Sequence, residues 1–127
     1  MTALVLDAGA FVAVDRGDRA MLARLRVAQR HGIDLRSNAV VVAQVWRDRG
    51  GQQAALAGLL RSVEVCPVDE QTGRRAGVLL GRAGSSDAVD ATVALLARPG
   101  DRILTNDPGD IARLVEAADI PATVIRC

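Results

Sequence analysis

No lysine occurs in the 127 residues, so all 16 basic side chains are arginine. That absence excludes Walker-type phosphate loops and Schiff-base catalysis, both of which need an ammonium group. A single histidine, His31, leaves serine or cysteine triads without their usual base; beside Gly32 near a helix end it reads as a surface or capping residue. The two cysteines, Cys66 before Pro67 and Cys127, fit neither a disulfide framework nor a zinc-ligand spacing and are read as free thiols. Phe11 and Trp46 are the only aromatic residues, so base stacking is not the main way this chain would hold a nucleic acid, and Trp46 is assigned to the core. No apolar run approaches twenty residues, and Asp7 interrupts the first apolar segment before a signal-peptide core could form. A soluble, cytoplasmic protein is the expectation.

Half of the residues are apolar, enough for one compact domain over 1–127. The net charge is only +1, although Arg16, Arg19, Arg24, Arg26 and Arg30 lie close together; they are read as a solvated helix face, with an anion-facing surface as the alternative. Apolar "ALVLD" (residues 3–7) predicts a first strand ended by an acid, followed by a helix over "GAFVAV". Residues 18–30 form an amphipathic helix closed by Gly32, and "IDL" is a brief second strand. Ser37 or Asn38 caps the helix of "SNAVVVAQVWRDRG", expected to run to Gly50 and Gly51, and a further helix covers residues 52–61. "VEVCPV" is strand three, and Asp69 or Thr72 opens a helix reaching about Ala83. Ser85 and Ser86 are cap candidates for the helix that carries Asp87 and Asp90. "DRILTND" is strand four ending in Asp107, Pro108 opens a helix through Ala118, and "PATVIR" is the last strand. Strands alternating with helices predict an α/β three-layer sandwich: a central, mostly parallel sheet of about five short strands with helices on both faces.

Sites in open parallel sheets form beyond the carboxyl ends of the strands, where strand order reverses. Asp7 and Asp107 close two strands, and pairing those strands side by side brings both carboxylates to one edge. Asp90 starts the helix just before the second of them, and a helix N-terminus favours an ionised carboxylate. Taken singly, each acid has a local explanation: Asp87 as an N-cap with Asp90 at N3, Asp7 as a turn acid, Asp107 as a cap before Pro108. Together they do not. Three carboxylates within about 5 Å repel by about 3 kcal/mol per pair at an effective dielectric near 20, a cost rarely carried without a cation or an arginine. Oxygen ligands without His or Cys point to Mg²⁺ or Mn²⁺.

Four segments in order resemble the PIN-domain ribonucleases, and among them the VapC-type toxins of toxin–antitoxin pairs. "VLDAGAFVA" is similar to the opening strand with its first acid, Asp7. "VVVAQVWR" is similar to the helix that carries the second acid, "DAVDATVALLA" to the third-acid helix with Asp90, and "ILTNDPGDI" to the fourth-acid segment with Thr105 and Asp107. The resemblance spans essentially the whole chain. It implies Mg²⁺- or Mn²⁺-dependent endoribonuclease activity with Asp7, Asp90 and Asp107 as catalytic metal ligands and Thr105 supporting them by hydrogen bonding. It further implies an RNA substrate, a VapB-like antitoxin whose C-terminal segment covers the acidic pocket, and a homodimer. Among the arginines available for substrate phosphates, Arg47 is the first choice.

The departure from the pattern is Gln44, an amide where the family places an acid. It supports coordination through oxygen but brings no charge, so metal affinity should drop. Asp87, one turn before Asp90, is the first candidate to restore that charge, either as a ligand or as a plain cap; Asp15 and Asp110 rank below it. A phosphoacceptor receiver domain needs a lysine, and a haloacid-dehalogenase-type phosphatase needs an acid where Gly9 stands. The remaining alternative is a catalytically weak or inactive PIN-like module that acts by binding RNA or a partner protein.

Overall fold

The computed structural model describes residues 2–127, which form five strands and seven helices in strict alternation of strand and helical segment. Strand β1 (Ala3–Leu6) leads into helices α1 (Ala8–Asp15) and α2 (Arg19–Arg30). Strand β2 (Asp34–Asn38) is followed by α3 (Ala39–Val45) and α4 (Ala54–Leu60), and β3 (Glu64–Cys66) by α5 (Glu70–Ala83) and α6 (Ala88–Ala94). Strand β4 (Arg102–Thr105), helix α7 (Pro108–Ala117) and β5 (Thr123–Arg126) complete the chain. The sheet order is β3-β2-β1-β4-β5 and every pairing is parallel, the arrangement anticipated for a three-layer α/β sandwich.

Each residue of β1 is buried, as expected of a strand covered on both faces. Right-handed crossovers place α1–α4 on one face of the sheet and α5–α7 on the other. The packing agrees: α1 touches α2, α3 and α4, while α5, α6 and α7 touch one another. One core cluster runs through both layers, with Leu6, Phe11, Leu25, Leu35, Leu59, Ile103 and Leu114 fully buried. Arg16, Arg19, Arg24 and Arg30 are exposed, so the arginine group around α2 is a solvated face. Both cysteines are free, and no helix among the described residues is long and apolar enough to cross a membrane.

Several boundaries differ from the sequence reading. Helix α3 stops at Val45, well short of Gly50, and Trp46 is 36% exposed rather than in the core. The cause is Gln53, a buried side chain that takes over the helix end. Its Oε1 accepts from the amides of Arg47 and Asp48, and its Nε2 donates to the carbonyl of Val45, so the chain leaves the helix with its backbone groups satisfied. Helix α6 is capped by Asp87, not by Ser85 or Ser86, since the Asp87 carboxylate accepts from the amide of Asp90 at 3.0 Å. Gly84, in the left-handed region at φ 66°, ends α5 and turns the chain toward that cap.

Strand β2 extends past "IDL" because its polar residues find partners inside the fold. Arg36 is 4% exposed; its Nη1 donates to Asp101 at 3.0 Å and its Nε to Glu64 at 3.2 Å. Asp101 also accepts from the amides of Ala3 and Arg98, which ties β1, β2 and the entry to β4 together. Burial pushes the Asp101 carboxyl up, but these two amides and the Arg36 guanidinium outweigh it and hold the group below its ordinary range. Ser37 donates to the carbonyl of Leu6, and Asn38 caps α3 through Val41 while donating to Thr92 of α6.

Candidate metal centre

Strands β1 and β4 are neighbours, with Leu6 in register with Leu104, so the segments that follow them leave the sheet side by side. The order of the sheet reverses between these two strands, where a crevice opens beyond their carboxyl ends. Asp7 is the N-cap of α1; its Oδ1 accepts from the amide of Ala8 at 2.8 Å. Its Oδ2 accepts from the Thr105 hydroxyl at 2.7 Å, and Thr105, fully buried, in turn accepts from the amide of Asp107 at 3.0 Å. One hydroxyl thus links the two strand ends. Asp107 stands at the N-cap position of α7, ahead of Pro108, yet its carboxylate makes no capping hydrogen bond. It is free to face the crevice.

Asp90 lies in the first turn of α6, 7% exposed, and its Oδ2 is buried without a hydrogen-bond partner. Its carboxyl is pushed up to about 7, first by burial, then because the protonated acid can donate to Asp107, and further by the charges of Asp87, Asp7 and Asp107. As an acid it has a partner; as an anion that oxygen has none. Oxygens of Asp90, Asp107 and Asp110 all come within 4.8 Å of one another. At that separation two full charges repel by about 3 kcal/mol at an effective dielectric near 20. Asp110 also pairs with Arg113 one turn along α7, which offsets part of its charge.

The structure therefore brings Asp90 and Asp107 together and sets Asp7 beside them, but the close triple is completed by Asp110. The spacing of three that singled out Asp87 and Asp90 also relates Asp107 to Asp110, and both fall in the first turn of α7. That signal was present in the sequence and was ranked too low. Asp87 directs one oxygen to its own helix, and Asp15 accepts from Gln53 at the far end of α1. Gln44 is exposed on α3, a helix that packs against both α1 and α6, and makes no hydrogen bond among the described residues. The Arg47 guanidinium folds back on the end of α3, donating to the carbonyls of Ala43 and Trp46. Over Gly9, just past Asp7, lies the Asn106 carboxamide; a Cβ at Gly9 would sit 2.5 Å from its Nδ2.

An orphaned buried oxygen within a group of mutually repelling carboxylates, and no nitrogen or sulfur ligand among them, fits a small hard divalent cation. The fold is PIN-like. Among solved structures, one with the same fold is VapBC2 from Rickettsia felis bound to a DNA fragment from the promoter: TM-score 0.70, 13% identity, covering 99% of this chain and 99% of that one. DNA-bound VapBC from Salmonella typhimurium gives a TM-score of 0.68 at 15% identity, covering 99% of this chain and 98% of that one. At such identities the likeness is one of fold. No protein-family model and no curated protein matches the sequence.

Proposed function

We propose that this chain is a divalent-metal-dependent endoribonuclease, the toxin of a type II toxin–antitoxin pair, working as one domain over residues 1–127 in the cytoplasm. The observation that carries this reading is the buried, unpartnered oxygen of Asp90 facing other acids at the reversal point of the sheet. Asp7, Asp90 and Asp107 are the catalytic ligands and Asp110 a fourth contributor to the charge; together they hold Mg²⁺ or Mn²⁺. When bound, such an ion acidifies water and offsets charge on a phosphodiester under attack. The chain's own residues prepare that chemistry. The Thr105 hydroxyl fixes the orientation of Asp7 and the backbone of Asp107, and Asp87 holds the first turn of α6 so that Asp90 points into the crevice. Asp90 gives up its proton as the cation arrives, so binding is coupled to pH.

The shared fold of the VapBC structures supports a VapB-like antitoxin as partner, and a homodimer accompanies that assignment. The substrate is RNA. A second reading, a module that binds RNA or protein but cleaves weakly, draws on Gln44, which leaves an amide on a helix packed against those bearing Asp7 and Asp90. Incubating the protein and its Asp7→Asn variant with a panel of RNAs, with Mn²⁺ or with EDTA, separates the two. Cleavage that needs the metal and is lost in the variant supports the nuclease; no metal-dependent cleavage by the parent selects the binding module.

A further inference from the structure

Helix α6 has a second polar side. Asp90 and Thr92 are two positions apart, about 200° around the helix; Asp90 turns to the acidic crevice and Thr92 to a separate cleft of about 360 Å³ between β2, α5 and α6. That cleft is lined by Arg36, Arg75, Arg98, Asn38, Thr72 and Thr92 together with apolar neighbours, and no acidic residue lines it. Arg36 is 4% exposed and held rigidly, since its Nε and Nη1 donate to Glu64, Asp101 and the carbonyl of Leu96. Its Nη2 has no partner among the described residues. Arg75 and Arg98 stand exposed at the rim, and neither side chain forms an ion pair among the described residues. Behind the wall, the charges of Glu64 and Asp101 outweigh that of Arg36, but both are turned to its other nitrogens. What faces the cleft is a pre-oriented guanidinium edge, two uncompensated arginines and hydroxyl and amide groups.

We propose that this cleft is a binding site for a phosphate monoester. A phosphate group carries close to two negative charges and three strong acceptor oxygens, which matches two free arginines plus a buried fork better than a carboxylate would. The volume lies in the range that accommodates a small molecule rather than a bare ion, so a nucleotide with a terminal phosphate fits as well as free phosphate. The site stands apart from the acidic crevice and does not depend on the nuclease reading.

The test is titration calorimetry with EDTA present, so that phosphate carried by a metal at the acids does not contribute. The probes are inorganic phosphate, uridine 5′-monophosphate and uridine. The parent is expected to bind the first two with one-to-one stoichiometry and uridine not at all. Tighter binding of the nucleotide identifies a nucleotide or RNA end as the source of the phosphate, and tighter binding of inorganic phosphate identifies the free anion. The Arg75→Gln/Arg98→Gln double variant should raise the Kd by about tenfold or more, the scale of one lost charge-assisted contact. The Arg74→Gln variant, which loses the same charge on the same helix but outside the cleft, should leave the Kd unchanged. Circular dichroism and Tm check that the variants remain folded, as their exposed positions imply. Absence of saturable binding by the parent, equal binding by the double variant, or equal weakening by Arg74→Gln would each overturn the proposal.

Discussion

Replacing Asp90 by asparagine should stabilise the metal-free protein at neutral and alkaline pH while abolishing its response to a divalent cation. The carboxyl titrates near 7 in the folded chain, against 3.8 for an ordinary aspartate. Between those values the folded state holds a proton that the unfolded state has released, so stability must fall as pH rises through the window. The slope is about 1.4 kcal/mol per pH unit and the whole window about 4 kcal/mol, an order-of-magnitude figure that relaxation of the neighbouring acids will reduce. A pairwise repulsion of about 3 kcal/mol between acids 4.8 Å apart gives the same scale independently. Urea unfolding of parent and variant, each in EDTA from pH 4.5 to 8.5, measures the difference directly. The two should nearly coincide at the acid end, with the variant ahead by roughly 2–4 kcal/mol at pH 8. Adding Mn²⁺ should close or reverse that gap, because the cation stabilises only the chain that binds it. A parent-minus-variant difference that does not change with pH would refute the account of Asp90 as a proton-holding member of a crowded acid group.

Three further outcomes follow from other contacts. Asp101→Asn leaves Arg36 buried beside a half-exposed Glu64 and should cost about 3–5 kcal/mol, read as a lower urea midpoint; a loss below 1 kcal/mol would show that the pair does not tie the strands together. The parent's contribution from Asp101 belongs above the ordinary aspartate range and is lost as pH falls, opposite in sign to that of Asp90. Thr105→Val removes both the donor to Asp7 and the acceptor for the amide of Asp107, and should destabilise by about 1–3 kcal/mol while weakening Mn²⁺ binding; unchanged Mn²⁺ affinity would mean that Asp7 and Asp107 need no such positioning. Gln44→Glu should tighten Mn²⁺ binding measured by calorimetry, and an unchanged or weaker Kd would remove Gln44 from the vicinity of the metal.

The strands flanking the crevice were legible because each is an apolar run ended by an acid, and because an alternating α/β chain must reverse its sheet order somewhere. That reasoning set β1 beside β4 and led to Asp7, Thr105 and Asp107. What escaped it depends on partners distant in sequence. Arg36 and Asp101 are 65 residues apart, so nothing local marked "RSN" as an extension of β2. The early end of α3 is equally hidden, since a side chain eight residues beyond Val45 closes it and no glycine or proline marks the place. Asp110 is different: its spacing from Asp107 was visible, but the choice between it and Asp87 required knowing which helix start turns inward.

The single proton of the Thr105 hydroxyl makes two look-alike aspartates inequivalent. Because that proton goes to Asp7, the latter is a fixture, locked from both oxygens before any ion arrives. Asp107 is tethered only through its main chain and keeps its rotamers. Loading of the centre should therefore be recorded as reorientation of the side chain at position 107 while that at position 7 stays still.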